Sequence, residues 1–411
     1  MIKIYPFKAF LPVADKASQI ASEPYDVIST EEARQKAEGN EISYLQVVRP
    51  EIGFAPGVDP YGDAIYDQAA QNLQKLIDDG LLVEDKPGLY IYRQTYLERE
   101  QFGIVCCYDV KQYRDDKIKK HEKTRPDKED DRTRHLTTCS AHAEPVFLSF
   151  RDTARTAELI KQDAASDPVI DFTAGDGVQH TIWRVADAES YVAAFSEIDS
   201  VYIADGHHRT AAGERAATQR QSENPSHTGN EEYNRVLSVM FPSSHLKILA
   251  YNRVVKDLNG LSSEEFIAKL AEAGSVEPTD NPVPDQAGCL CIYVGGNWYH
   301  FRFDVARIDH NDPIDSLDVA LLQNLILDPI LGVGDPRTDL RIGFVGGIRG
   351  TLELEKRVDS GSDAVAFSMY PTSIQQLFEV SDAGKIMPPK STWFEPKLRS
   401  GLFVHRFEKF D

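Results

Sequence analysis

The sequence VYIADGHHRTAAGERAAT, residues 201–218, predicts a short buried strand, a sharp turn and a helix rich in alanine. The strand covers the apolar residues at the start, and the turn follows at Asp205-Gly206. Glycine permits a positive φ and lets a ligand approach the backbone closely. The first amides of the following helix and its dipole attract anions. The stretch therefore predicts a phosphate or carboxylate site at the end of a strand.

Four polar residues surround this turn, namely Asp205, His207, His208 and Arg209. The alternative is an ordinary strand end with an Asp N-cap and a solvated first turn. Two adjacent histidines and an arginine are unusual at a helix cap, and their presence favours a functional site. Adjacent histidines point in different directions from a helix start, which argues against a metal-dependent hydrolase that uses both as ligands.

A second group of candidates lies upstream, in the highly charged residues 119–134, KKHEKTRPDKEDDRTR. A charge run of this kind usually forms a solvated helix face. His121 and Glu122, however, precede the predicted helix at the end where a loop can enter a site. Lys128 and Arg132 are four residues apart, so they share one helical face on which they can meet a phosphate.

Two further segments supply candidates from distant parts of the chain. Pro24 restrains the chain to extended geometry, which suits a loop that presents Tyr25 and Asp26, although a turn before a helix is an equal alternative. Near residue 390, two prolines stiffen the chain directly ahead of three side-chain donors that suit a phosphate clamp: Lys390, Ser391 and Thr392.

Several other segments are predicted to be structural. The spacing of the five cysteines fits neither a disulfide framework nor a zinc set. Cys289-x-Cys291 falls in a strand-like apolar run, where cysteine is usually a small buried hydrophobic residue. His180 lies on the returning arm of a predicted hairpin, where a lone histidine is more often core than ligand. Residues 42–48 are predicted to form a strand.

Composition limits the class of protein. The 411 residues are enough for two or three domains, and 41% hydrophobic residues permit sizeable cores. The formal net charge of -20 argues against broad nonspecific binding to nucleic acid or anionic membranes. The first residues lack a signal-peptide pattern and no apolar run is long enough to span a membrane, so we expect a cytoplasmic protein.

The stretch DGHHR after an apolar strand resembles the signature of free-serine kinases built on the ParB/sulfiredoxin fold. Lys120-His121-Glu122 resembles the stretch of these kinases that carries the catalytic base, which implies that role for Glu122. Residues 390–397, KSTWFEPK, resemble their late Lys-Thr-Thr and Phe-x-Pro stretch. The resemblance implies phosphoryl transfer to free L-serine, which gives O-phosphoserine.

The whole chain resembles a bacterial family with a domain of unknown function, the one numbered 1015. That family shows PYDV, HExT followed by DR, YIADGHHR and MPPKST, and this chain has them at residues 24–27, 121–132, 202–209 and 387–392. The family match spans nearly the full length, whereas the kinase match is confined to short motifs.

These resemblances imply an α+β fold with a ParB/sulfiredoxin-like core and flanking mixed α/β domains. We expect an N-terminal α+β domain at residues 1–110 and the core, with the HE and DGHHR motifs, at residues 111–255. A C-terminal α+β domain is expected at residues 256–411, with tail residues 387–397 folding back to complete the site.

A kinase site needs a base near the acceptor hydroxyl and donors around the moving phosphoryl group. The predicted catalytic residues are Glu122 as base, Asp205 and His208. Asp205 is expected to stay ionised beside Arg209 and the helix start, and to bind either magnesium or the ammonium group of serine. The predicted substrate and phosphate ligands are His121, Lys128, Arg132, Gly206, His207, Arg209, Lys390, Ser391 and Thr392, with Tyr25, Asp26 and His180 as further candidates.

The implied phosphoryl donor is ADP, ATP or pyrophosphate, with magnesium as the expected cofactor and no nucleic acid or membrane partner. Sulfiredoxins have a cysteine where this chain has His207, so their thiol chemistry is not expected unless a distant cysteine takes its place. DNA-binding ParB proteins use a helix-turn-helix and a basic surface, and neither is found in this acidic sequence. The main alternative is a ParB-like nucleotide-binding regulatory protein without kinase activity.

Overall fold

The computed structural model describes residues 1–407, and these residues form 13 α-helices and 21 β-strands. The helices are α1 (Ala17–Ile20), α2 (Thr30–Ala37), α3 (Leu45–Val48), α4 (Asp63–Asp78), α5 (Val110–Arg114), α6 (Pro126–Cys139), α7 (Ala154–Asp163), α8 (Ala188–Phe195), α9 (His207–Glu223), α10 (Ser263–Leu270), α11 (Asp318–Leu322), α12 (Leu352–Asp359) and α13 (Ile374–Asp382). The strands are β1 (Ile4–Tyr5), β2 (Ala9–Pro12), β3 (Leu82–Glu84), β4 (Tyr90–Tyr96), β5 (Arg99–Asp109), β6 (Ile118–Lys119), β7 (Ala141–His142), β8 (Val146–Phe150), β9 (Ile170–Thr173), β10 (Gln179–Arg184), β11 (Val201–Asp205), β12 (Arg235–Pro242), β13 (Ile248–Leu249), β14 (Tyr251–Val255), β15 (Gly274–Pro278), β16 (Cys289–Val294), β17 (Asn297–Phe303), β18 (Ile342–Gly346), β19 (Val365–Met369), β20 (Trp393–Phe394) and β21 (Val404–Arg406).

The described residues divide into two compact units. The first contains Met1–Lys119, Thr124–Leu246 and residues 396–407, and the second contains Lys120–Lys123 and Lys247–Glu395. A mixed α/β fold with several sheets agrees with the predicted class at that level. The predicted three-part division differs from these units, because its first boundary, after residue 110, falls inside the first unit.

The central sheet of the first unit positions the DGHHR turn. Its strand order is β6-β11-β8-β12-β5-β4-β10-β9, with β1 paired to β5. Strands β8 and β12 are parallel to each other and buried along their whole length, which is typical of strands in the middle of a covered sheet. β11 pairs with β8, and its first four residues are buried, whereas Asp205 at its carboxyl end is partly exposed.

The strand, turn and helix predicted for residues 201–218 are confirmed. β11 ends at Asp205, and α9 begins at His207. Gly206 between them has a φ of 92°, a left-handed conformation that favours glycine. α9 packs against α6, so the helical part of the charged segment, from Pro126 onwards, lies beside the helix that follows the DGHHR turn.

A second sheet of the first unit has the order β3-β2-β21-β7. β21 is inserted between β2 and β7, although more than 250 residues separate it from either strand along the chain. Leu402, Phe403 and Val404 are fully buried. The segment after Pro396 is therefore part of the core of this unit.

The second unit contains a sheet with the order β15-β17-β16-β19-β14-β18 and the separate pair β13-β20. Every pairing in the larger sheet is antiparallel. One face buries a small apolar cluster that includes Val254, Tyr293 and Leu354. Helix α12, which carries Leu354, packs against β16 and β19 and covers that face.

One predicted element is wrong. Residues 42–48 were expected to form a strand, but the structure has helix α3 at Leu45–Val48. The β-branched valines favour a strand locally. In the fold, however, their side chains are buried in a cluster that also contains residues of α2 and α4, and this packing overrides the local preference. No helix in the described part of the chain is long and apolar enough to cross a membrane.

Candidate functional site

The turn after β11 holds an ionised carboxylate between two cations. Asp205 Oδ1 accepts a hydrogen bond of 2.9 Å from Lys397 Nζ, and Oδ2 accepts one of 2.6 Å from Arg209 Nη2. Burial alone would raise the pKa of Asp205, but the charges of Lys397 and Arg209 outweigh it and hold the pKa well below the usual aspartate value. Asp205 is therefore charged, which is the state expected from the sequence.

Arg209 is almost fully buried, with 8% of its surface exposed. Its Nη1 donates to the carbonyl of Pro145 at 2.6 Å, whereas its Nε has no hydrogen-bond partner among residues 1–407. A Cβ at position 206 would lie 2.9 Å from this Nε. Glycine is thus required there both for its φ and for the space that the guanidinium fills. A buried donor without a partner costs about 1–3 kcal/mol, and a bound anion can satisfy it.

Three further segments meet beside Arg209. The backbone nitrogen of Tyr25 donates to Glu144 Oε1 at 3.3 Å, and Ser400 Oγ donates to the same oxygen at 2.6 Å. The guanidinium of Arg132 stacks 4.0 Å from the centre of the Tyr25 ring. Burial raises the pKa of Glu144, while the charges of Arg209 and Arg132 lower it. The PYDV, DR and DGHHR motifs therefore converge within the first unit.

The position of Lys397 is fixed by two buried amides of the β4-β5 hairpin. Gln94 Nε2 donates to the carbonyl of Lys397 at 2.7 Å, and Gln101 Nε2 donates to that of Pro396 at 3.2 Å. The two side chains also bond to each other at 2.8 Å. Tail residues 396 and 397 thus reach the DGHHR turn within the first unit, while the contribution of residues 387–397 to a functional site remains a prediction.

Two of the predicted residues in this unit have structural partners. His208 Nε2 accepts a hydrogen bond of 3.1 Å from the backbone nitrogen of Arg125, the N-cap of α6, so its proton is on Nδ1. Lys128 turns away from Arg132 and donates to the hydroxyl of Tyr61 at 3.0 Å. The catalytic role of His208 and the phosphate role of Lys128 remain predictions.

His180 is a buried core histidine. Its Nδ1 lies 2.7 Å from the hydroxyl of Tyr92, and its Nε2 accepts a hydrogen bond of 3.2 Å from Arg399 Nε. Burial, reinforced by the charge of Arg399, lowers the pKa of His180 to about 3, so the ring is neutral. Its structural role is the one that the sequence favours. Asp26 and His207 differ in exposure, with Asp26 on the surface and His207 buried.

The remaining predicted residues lie in the second unit. His121 Nε2 lies 3.3 Å from Thr392 Oγ1, and the carbonyl of His121 accepts from the nitrogen of Met387 at 2.8 Å. The HE segment and the MPPKST segment therefore meet within this unit. Ser391 donates its hydroxyl to the carbonyl of Pro388 at 2.6 Å, so in this conformation its proton serves the backbone turn. Glu122 is half-buried.

A buried arginine supports the MPPKST segment. Arg253 Nη2 donates to the carbonyl of Lys390 at 3.0 Å and approaches that of Pro389 at 3.4 Å. Burial lowers the pKa of Arg253 to about 10. Lys390 has a φ of 59°, unusual for a residue with a side chain, and its Nζ lies 5.7 Å from the ring centre of Tyr251.

Three residues of these clusters were not among the candidates: Glu144, Lys397 and Arg253. The signal for Glu144 was a single acid between alanine and proline at the start of an apolar strand, in AHAEPVFLSF. Lys397 closes the tail motif directly after Pro396. The signal for Arg253 was weaker. It is a single arginine in a run predicted to be a strand, and its partners are backbone carbonyls, which cannot be recognised from the sequence.

Comparison with known proteins gives a family and weak structural likenesses. The family model described as "Protein of unknown function (DUF1015)" matches residues 4–320. A comparison with curated proteins found no match. The chain is similar to a glutamate-to-glutamine variant of a free serine kinase in complex with AMP, at 14% identity over 71% of this chain and 87% of that one, with a TM-score of 0.36.

Two other solved structures show likeness at the same level. One is SbnI with a C-terminal truncation from Staphylococcus aureus, at 11% identity over 73% of this chain and 87% of that one, with a TM-score of 0.39. The other is a conserved hypothetical protein from Pyrococcus furiosus, at 14% identity over 74% and 95%, with a TM-score of 0.35.

Proposed function

This chain belongs to the DUF1015 family of proteins of unknown function, and we propose that it is a small-molecule kinase. The proposed acceptor is free L-serine, the product is O-phosphoserine, and the donor is ADP, ATP or pyrophosphate. We also propose that the sheet and helices around β11 form a ParB/sulfiredoxin-like core. The motifs DGHHR, HE and KST support both proposals by their resemblance to free-serine kinases.

The observation that carries the proposal is the pairing of Asp205 with Arg209 and Lys397. One ionised carboxylate holds two cations at the N-terminal end of α9, where Gly206 brings the backbone close. Phosphoryl transfer depends mostly on positioned positive charge around the phosphate oxygens. Arg209, Lys397 and the first amides of α9 are proposed to supply that charge, and the Nε of Arg209 is the donor available for a phosphate oxygen.

Asp205 fits magnesium less well than it fits this supporting role. Both of its oxygens already accept hydrogen bonds from cations of the protein, so a magnesium ion or a substrate ammonium has to compete with them. Asp205 is accordingly proposed to orient Arg209 and Lys397.

In the proposed reaction, the serine hydroxyl oxygen forms a bond to the terminal phosphorus of the donor as the bond to the bridging oxygen breaks. Glu122 is proposed to take the hydroxyl proton as general base, on the resemblance of Lys120-His121-Glu122 to the kinase motif. His121 contacts Thr392, which is proposed to keep the HE segment and the KST segment in register.

Incubation with each donor and each free amino acid, read by phosphorus NMR, tests the proposal directly. We expect O-phosphoserine from one donor and no phosphorylated product from alanine, which lacks the hydroxyl. Asp205→Asn should abolish the product because Arg209 and Lys397 lose their shared partner. Asp199→Asn is the matched control, since Asp199 is an exposed acid just ahead of the same strand.

One outcome would contradict the kinase activity, and a second would contradict the role of the Asp205 cluster in it. The first is that none of the three donors gives O-phosphoserine with the folded wild-type protein. If the nucleotide still binds in that case, measured by calorimetry, the ParB-like regulatory alternative replaces the kinase. The second is that Asp205→Asn and Asp199→Asn give the same activity, which would exclude the Asp205 cluster from the reaction.

A further inference from the structure

The second unit contains a cluster of metal-ligand side chains separate from the residues considered above. Ligand atoms of Asp285, Cys289 and His300 all lie within 4.8 Å of one another. We propose that these three residues, with Cys291 or Asp318 completing the set, form a binding site for a zinc-type divalent cation. This proposal does not depend on the kinase proposal.

The strand register places the nitrogen and sulfur ligands on one side of the sheet. Cys289 and Cys291 are two residues apart on β16, so their side chains point to the same face. His300 on β17 is directly opposite Cys291, and cross-strand neighbours share a face. The sequence spacing did not reveal this site, because Asp285 and His300 join the cysteines only through the hairpin.

The three ligand types match the known preference of Zn²⁺ for thiolate, imidazole and carboxylate in tetrahedral sites. The Nε2 of His300 lies 3.3 Å from Asp285 Oδ1, at the exposed edge of the cluster. Cys289 and Cys291 are both buried.

A second, independent observation is a buried acid beside the cluster. Asp318, with 8% of its surface exposed, accepts a hydrogen bond of 2.8 Å at Oδ1 from the nitrogen of Gly288. Its other oxygen has no hydrogen-bond partner within residues 1–407. Gly288 directly precedes Cys289 in the chain, so this hydrogen bond places Asp318 beside the cluster. A cation bound at Asp285, Cys289 and His300 would be attracted by both carboxylates.

Arg302 carries the charge that opposes a cation, since it is directly opposite Cys289 on β17. Its guanidinium is exposed, and in the amide orientation that satisfies both groups it donates to the carbonyl oxygen of Gln286 at 3.1 Å. The two carboxylates, Asp285 and Asp318, carry more negative charge than the single positive charge of Arg302 offsets. Binding would break the Cys289 S–H bond, form a sulfur–metal bond and release the proton to solvent.

Cobalt(II) titration of the full-length protein, after removal of metal with a chelator, tests the site. Cobalt replaces zinc in tetrahedral sites and reports thiolate ligation through charge-transfer absorption in the near ultraviolet. We expect one equivalent of cobalt to produce this absorption and one equivalent of zinc to abolish it. Metal analysis of the reconstituted zinc protein should then give one zinc per chain.

Three variants separate ligation from folding. Cys289→Ser should remove the charge-transfer absorption, and His300→Gln, at a half-exposed position, should weaken cobalt binding at least tenfold without unfolding the sheet. Cys107→Ala, which removes a buried thiol of the first unit, should leave the titration unchanged. A wild-type protein without thiolate–cobalt absorption, or a titration that Cys289→Ser and His300→Gln leave unchanged, would overturn the proposal.

Discussion

Asp205 keeps its charge because two cations contact it, Arg209 from four residues along the chain and Lys397 from a distant part of the sequence. Its depressed pKa means that its ionised form stabilises the fold above the usual aspartate pKa of about 3.9. That stabilisation is lost as the pH falls towards the lower folded-state pKa. Asp205→Asn should therefore lower the free energy of unfolding by about 3 kcal/mol at neutral pH, since it leaves Arg209 and Lys397 without their acid.

Urea unfolding of Asp205→Asn and wild type at pH 7 and at about pH 3 measures this effect. The difference between the two proteins should shrink at the lower pH, because Asp205 of the unfolded wild-type chain then takes up a proton, which reduces the advantage of its ionised form in the fold. Asp199→Asn should change stability by less than about 0.5 kcal/mol, as expected for a surface position. A difference between Asp205→Asn and wild type that is equally large at both pH values would contradict the assignment.

Glu122 is the residue on which the proposed chemistry depends most. Loss of a general base typically lowers turnover by about 10²–10⁴-fold with little change in binding. Glu122→Gln should show that pattern, with donor affinity measured by calorimetry unchanged. Near-normal turnover in Glu122→Gln, together with an inactive Asp205→Asn that binds the donor normally, would instead exchange the two roles.

The elements that the sequence predicted well are those whose signals are local. β11, the turn at Gly206 and α9 could be assigned because strand, turn and helix start follow from neighbouring residues. Glu144 and Lys397 could not, because their partners are brought to them only by the sheet and by the tail. Arg253 was missed for a related reason, since its buried charge is satisfied by backbone carbonyls that have no sequence signature.

The turn between β11 and α9 requires a glycine at position 206 for two separate reasons. Gly206 has a φ of 92°, and a Cβ there would meet Arg209. Gly80, after α4, has a φ of 69° but open space around its Cα, so Gly80→Ala isolates the conformational cost of about 1 kcal/mol. Gly206→Ala should cost more, about 2–4 kcal/mol, because the guanidinium must also move.

Thermal and urea unfolding of these two glycine variants provide the comparison. Gly206→Ala should also lose affinity for pyrophosphate, the simplest probe of the proposed anion site, whereas Gly80→Ala should retain it. Equal destabilisation of both variants would show that the close approach of Arg209 does not add to the loss in free energy of unfolding caused by Gly206→Ala.

Strand β21 is the element that makes the tail indispensable to the first unit. It pairs with β2 and β7, and Leu398, Leu402, Phe403 and Val404 are buried. Each such side chain contributes about 1.5–3 kcal/mol, which together is comparable to the whole stability of a typical domain, about 5–15 kcal/mol. Truncation after residue 395 should therefore give an unfolded first unit, detected by circular dichroism and limited proteolysis.

A test of the tail's chemistry accordingly needs point substitutions. Lys397→Met keeps the buried stem and removes only the charge beside Asp205, so it should fold and lose anion binding. A truncated protein with a native circular dichroism spectrum would show that β21 is dispensable.

At the scale of the whole molecule, the formal net charge of -20 means that negatively charged groups repel one another overall. Self-repulsion of this size destabilises the compact state, and salt screens it. We expect the thermal midpoint at pH 7 to rise between about 10 mM and about 300 mM sodium chloride. At a pH near the isoelectric point of about 5.0 the same salt change should have a much smaller effect. A midpoint that falls with salt at pH 7 would indicate that attractive ion pairs dominate.

The position of β21 near the far end of the sequence sets an order in time during synthesis on the ribosome. Strands β2 and β7 emerge early, but the strand that joins them emerges only after Lys247–Glu395 has been translated. At about 5–20 residues per second, that delay is on the order of 10 s or more. During it, the edges of β2 and β7 are open to wrong pairing. The nascent chain is thus expected to need shielding by chaperones, and Asp205 acquires its partner Lys397 only after residues 247–395 have been made.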